Sequence, residues 1–184
     1  MATIAKHPTR RAILTGLFAV AASPVTAKAP LSKAQVAGVH RFKLGASEIV
    51  AILDGYFDLD TELMPKASAE TVQEIQRAHF LPTGKTVRSA INTYIVNTGN
   101  KLILIDTGAR DYLGPTVGRL PANLAAAGYA PEQVDRIILT HMHPDHIGGI
   151  IDRLGARVFP NATLHANEAD WSFWRDPQMK APMQ

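Results

Sequence analysis

His141-Met142-His143-Pro144-Asp145-His146, running on into Ile147-Gly148-Gly149, puts four side chains able to ligate a metal within six positions. The stretch follows Ile137-Ile138-Leu139-Thr140. That run is uncharged, rich in β-branched residues and too short for a helix, so a buried β-strand is expected over 136–140. The four side chains then sit at a strand end, where a rigid element can hold loop residues in place. Extended geometry would bring His141, His143 and Asp145 to one face, with His146 turned to a neighbouring position. Pro144 keeps His143 out of the helical region. Gly148 and Gly149 would let the backbone pass close to whatever the cluster binds. Three imidazoles and one carboxylate suit zinc and also admit iron, manganese or cobalt. Surface histidines in a turn are the plain alternative, and the HxHxDH spacing behind an apolar strand weighs against it.

Upstream, Lys101–Ile105 reads as a strand paired with Ser89–Asn97 about the turn 97–100, and it ends on Asp106-Thr107-Gly108. Asp106 could cap a turn. Its place at a strand end favours bracing the ligand loop through hydrogen bonds. Two strands are expected within His40–Asp54 about Gly45-Ala46. Helices are expected over 68–79 with Ser68 as N-cap, over 121–127, and from about Asn167. A last strand falls near 157–159 or 163–165. Strands interleaved with helices make an α/β fold. Trp171, Phe173 and Trp174 crowd one short segment. They are either packing residues or, with Leu113 and Tyr112, an apolar substrate wall beside the site. His165 is a weaker candidate for a further ligand than for a surface or packed histidine.

The HxHxDH residues resemble the defining motif of the metallo-β-lactamase superfamily, and Asp106-Thr107-Gly108 resembles its earlier acidic motif. From Asn92 to Gly149 the chain is most similar to the branch of methyl parathion hydrolase-type and lactonase-type enzymes. Leu53-Asp54-Gly55 and Gly114–Leu120 support this. The resemblance implies an αββα sandwich of two similar halves around two divalent metal ions, zinc first. His141 and His143 would serve one ion, and Asp145 and His146 the other. Asp145 would also orient a bridging hydroxide as a catalytic residue. A further histidine for each ion and a bridging acid would come from the second half, and nothing here matches those motifs. The expectation is therefore the N-terminal half of the sandwich: a domain over 40–184, truncated at its C-terminus, weak or inactive alone. The implied reaction is hydrolysis of an ester, lactone or phosphotriester, with a β-lactam as the alternative substrate. A catalytically incompetent metal-binding half-domain is the alternative to an enzyme, and an iron-based redox role ranks last. A homodimer is expected of the complete enzyme.

The formal charge of +3 looks basic, but Lys6, Arg10 and Arg11 lie before Lys28, where there are no acids. The remainder balances sixteen basic against sixteen acidic residues, so no basic surface argues for nucleic acid or anionic membrane. Thr9-Arg10-Arg11-Ala12-Ile13-Leu14 resembles a twin-arginine export signal. The apolar run Ala12–Ala22 is shorter than the roughly 20 residues a spanning helix needs. It suits a signal peptide over 1–27, with cleavage after Ala27 or alternatively after Ala29. A connector over 28–39 follows, and the expected location is periplasmic or secreted, without stable membrane insertion. The chain has no cysteine, which excludes disulfides, thiolate zinc sites and cysteine nucleophiles.

Overall fold

A short register of apolar residues runs across the sheet and explains its order. Val50 faces Ile95, Ile95 faces Leu104, and Leu104 faces Ile137 on successive strands. All four are buried. The computed structural model describes residues 31–32, 35–64 and 66–179, and the elements below belong to the unit that begins at Val36. The leader 1–27 lies outside the described residues, as do 28–30 and 33–34 of the connector. Among the described residues no helix is long and apolar enough to cross a membrane.

Six strands form one sheet in chain order. They are β1 (Val39–Leu44), β2 (Ser47–Asp60), β3 (Thr86–Asn97), β4 (Leu102–Ile105), β5 (Arg136–Ile138) and β6 (Thr163–His165). β1 to β4 pair antiparallel in chain order, while β5 and β6 join in parallel. Parallel pairing needs crossovers, and these carry α2 (Leu120–Ala126), between β4 and β5, and α3 (Pro144–Ile147), between β5 and β6. α1 (Ala69–Ala78) links β2 to β3, and α4 (Glu168–Arg175) follows β6. Ser68 accepts a hydrogen bond from the Thr71 amide at the start of α1, and Asn167 accepts one from Ala169 at the start of α4. Each cap satisfies an amide the helix itself cannot.

The α/β expectation holds. One core gathers Val50, Ile52, Ile95, Leu104 and Ile137 from the sheet against Leu120, Leu124 and Phe159. Each such side chain contributes about 1.5–3 kcal/mol by leaving water. The other sheet face carries Ala51, Tyr94, Ile105 and Ile138 in register. Tyr94 and Ile138 there remain 41% and 39% exposed.

Several expected bounds move. β2 and β3 run past Asp54, because the register slips at Leu53/Gly55 and the strand continues beyond the irregularity instead of ending at the glycine. β5 ends at Ile138, two residues before the expected stop. The last strand is 163–165, and Arg157 makes an isolated bridge with Ile151.

Candidate metal centre

The centre is built where β4 and β5 end side by side. Asp106 takes the left-handed conformation (φ 59°), which aspartate tolerates better than most residues. Its amide donates to the Ile138 carbonyl at 3.0 Å. Its carboxylate, 5% exposed, turns to the next loop. It accepts from the Thr140 amide and the Thr140 hydroxyl, each at 2.8 Å, and meets His146 Nδ1 at 2.8 Å. Thr107 adds two hydrogen bonds, from its amide and its hydroxyl, to the His146 carbonyl at 2.7 and 2.9 Å.

The extended geometry expected through Asp145 stops at His143 (φ −70°, ψ 156°), and Pro144 opens the helical turn α3. Proline restrains the residue before it to extended backbone, yet itself suits the first helical position, where its missing N–H costs nothing. His141 and His143 are therefore on extended chain, while Asp145 and His146 are on a turn. Gly148 and Gly149 also serve a different neighbour from the one expected. A Cβ on Gly149 would collide with the Thr107 carbonyl, and one on Gly148 would sit 2.6 Å from the Ala109 carbonyl. What the glycines approach is the chain's own Asp106–Ala109 loop.

The four candidate ligands stand together. The ring centroids of His141 lie 4.6 Å from those of His143 and 3.8 Å from those of His146. Two donor pairs result: His141 Nε2 with His143 Nδ1, and His146 Nε2 with Asp145 Oδ2, each 3.1 Å apart. Two ligands of a tetrahedral zinc ion at 2.0–2.1 Å are separated by about 3.3 Å, so both separations suit a shared ion. The second pair is more telling. As a carboxylate Asp106 can only accept, so His146 Nδ1 carries the proton between them. A neutral His146 then presents a lone pair at Nε2 to another acceptor, and two acceptors at 3.1 Å require a proton or a cation between them. In that sense the donor set fits a divalent metal. Among the described residues, however, no group of three or more donors is disposed to hold one ion.

Burial first, and then the neighbouring His146 and His143 rings, push the pKa of His141 below its ordinary value. The fold thus favours the neutral ring. The unfolded chain takes up this proton near pH 6.5 while the folded chain resists it. The stabilising contribution is complete above pH 6.5 and is lost as pH falls through the folded pKa. An NMR titration should find the His141 midpoint below that of free histidine; one above it would contradict this account.

Trp174 packs edge-on against His143 with centroids 5.7 Å apart, and Phe173 lies against Trp174 at 5.5 Å. Trp171, 47% exposed, borders a hollow with Met142 and Leu164. Leu113 packs instead with Ile91, Ala109 and Val117. Tyr112 lines a hollow with Pro144, Ile147 and Ile151. His165 lies on the edge strand β6.

Sequence reasoning missed Asp54 as a structural anchor. It is 1% exposed and accepts from the amides of Ala109 (2.9 Å), Gly118 (3.1 Å) and Leu120 (2.9 Å). It thereby sets the path of the segment that leaves the Asp106 loop. The signal was available: an acid inside an otherwise apolar strand must find donors or remain in water.

A sequence profile of the metallo-beta-lactamase superfamily matches residues 86–180, just over half of the chain. The chain belongs to the metallo-beta-lactamase superfamily. Among solved structures it is similar to the hydrolase AbOPH of the beta-lactamase superfamily, with 42% identity and a TM-score of 0.75 over 81% of this chain and 51% of that one. It is also similar to AidC, a dizinc quorum-quenching lactonase, with 32% identity and a TM-score of 0.73 over 78% of this chain and 49% of that one. The beta-lactamase-like protein 2 homolog of Drosophila melanogaster is 32% identical over 100 residues, 52% of this chain and 31% of that protein. The chain thus spans about half the length of these solved relatives and about a third of the fly protein. This superfamily of hydrolases uses divalent metal, and the two solved relatives share the α/β fold described above.

Proposed function

We propose that this chain carries the HxHxDH part of a dinuclear metal centre, zinc first, in a hydrolase of small esters, lactones or phosphotriesters. The observation that carries the reading is the facing pair Asp145 Oδ2 and His146 Nε2 at 3.1 Å, with His146 Nδ1 already engaged by Asp106. His141 and His143 would hold one ion, and Asp145 and His146 the other. A bound divalent ion would polarise a carbonyl or phosphoryl oxygen and bring the pKa of water far down, to about 7. Asp106 keeps His146 turned so that Nε2 faces the site. Asp145 offers a carboxylate oxygen that can accept a proton from an attacking water and orient it. Trp174, edge-on to His143, would give an apolar leaving group or acyl chain a surface to lie on, and Trp171 would extend it. The similarity to AidC, a quorum-quenching lactonase, supports the lactone class over a β-lactam.

A metal-binding half-domain without turnover is the second reading, favoured by the supply of two donors per ion where catalytic zinc takes three protein ligands. Zinc titration of the purified chain, with assays on a lactone, an aryl ester and a phosphotriester, separates the two. Binding with turnover supports the hydrolase, binding without turnover supports the half-domain, and no binding sinks both. Sedimentation of the same material would test for the homodimer.

The leader is the basis for a proposal of export to the periplasm or medium. The mature N-terminus should fall near Lys28, and Arg10→Lys with Arg11→Lys should leave the precursor in the cytoplasm. Intact Met1 on exported protein, or export that survives both changes, would refute it.

A further inference from the structure

Thr140 stands between the buried acid and two candidate ligands. Its amide donates to Asp106 Oδ1 and its hydroxyl to Asp106 Oδ2, both at 2.8 Å. The same hydroxyl oxygen lies 3.2 Å from His141 Nδ1 and 3.3 Å from His146 Nδ1. His146 Nδ1 has the shorter contact, 2.8 Å, with the carboxylate. A threonine hydroxyl has one proton and two lone pairs. That proton is committed to Asp106, so the oxygen turned toward His141 can only accept.

We propose that Thr140 is a positioning residue that sets the tautomer of His141: its hydroxyl, oriented by Asp106, holds the proton on Nδ1 and leaves the Nε2 lone pair for metal. This rests on the metal-centre reading above. One carboxylate then commands two rings, His146 directly and His141 through the hydroxyl. Both rings present Nε2 toward the donor pairs, His141 to His143 Nδ1 and His146 to Asp145 Oδ2, each at 3.1 Å. Which ring nitrogen is free to ligate is decided by the hydrogen bond the other one makes. Such supporting partners are worth about 10–100-fold in metal affinity.

The test uses the full chain with Thr140→Val, which keeps the amide bond to Asp106 but has no hydroxyl, and Thr140→Ser, which keeps both. In the metal-free protein, long-range proton–nitrogen spectra read the tautomer of His141; competition with a chromophoric chelator reads zinc affinity. Wild type and Thr140→Ser should hold the proton on Nδ1. Thr140→Val should lose that preference and bind zinc about 10-fold more weakly. The proposal is overturned if Thr140→Val keeps the Nδ1 proton and wild-type affinity. It is equally overturned if Thr140→Ser loses as much as Thr140→Val, since the methyl group would then be what matters. If wild-type protein takes up no zinc, the metal-centre reading fails by itself, and the tautomer spectra still decide the role of Thr140.

Discussion

Alanine at any one of His141, His143, Asp145 or His146 should remove zinc from the centre, and with it any hydrolysis. Each residue is one member of a two-donor pair at 3.1 Å, so removing it leaves the ion a single protein ligand from this loop. Catalytic zinc normally takes three protein ligands plus an open position, which makes either loss severe. Asp106→Ala should behave differently. It touches Thr140 and His146 rather than the ion, so affinity should fall by about 10–100-fold without being abolished. Elemental analysis after gel filtration checks both expectations. Full zinc content in His143→Ala would show that the pairing is wrong, and an Asp106→Ala loss as large as the ligand losses would make Asp106 a ligand.

The second large effect should come from Asp54, far from the centre in sequence. Asp54→Ala would strand three amides, those of Ala109, Gly118 and Leu120, in a site 1% exposed. Each unsatisfied buried donor costs about 1–3 kcal/mol, so a loss of at least about 3 kcal/mol is expected. For a chain of this size that is a fall in melting temperature of about 6–12 °C. Asp54→Asn is nearly the same size but replaces one acceptor oxygen with a donor. Whichever way the amide turns, at least one of the three N–H groups meets an NH₂, so asparagine should recover only part of the loss. Denaturant midpoints measure both variants. A loss below about 1 kcal/mol in Asp54→Ala would mean that water reaches these amides.

Much of this architecture was legible because local chemistry and tertiary context agree. Ser68 and Asn167 begin their helices as caps, and the strand before His141 precedes the ligand loop as its apolar run implies. The four candidate ligands were legible as a cluster because their spacing is local. Less legible was anything decided across the sheet. The glycine at 55 reads as a strand end, yet long-range pairing with Ile91 carries β2 on to Asp60. Pro144 reads as a guard of extended chain, yet one residue later it starts a helical turn. Asp54 and Thr140 act on partners that only the folded chain brings near: Leu120 lies 66 positions from Asp54, and Asp106 lies 34 from Thr140. The packing of the expected wall residues is also settled across the fold: Trp174 meets His143, and Leu113 packs with Ile91, Ala109 and Val117.

The grip of Asp54 has a consequence for how this protein can change over time. All three groups it holds are main-chain amides, which every residue except proline supplies. The anchor positions are themselves constrained, since Ala109 and Leu120 are buried and a Cβ on Gly118 (φ 81°) would collide with the Arg110 carbonyl, but the bonds from Asp54 ask nothing of the exposed side chains between them. Tyr112, 54% exposed beside the hollow next to α3, can be exchanged without disturbing the bonds that hold its loop. A loop anchored by its backbone to a buried acid is free to explore new side chains at the mouth of a site while the scaffold beneath it stays the same. Proline at 109 or 120, and any side chain at all at 118, are the substitutions such drift cannot accept.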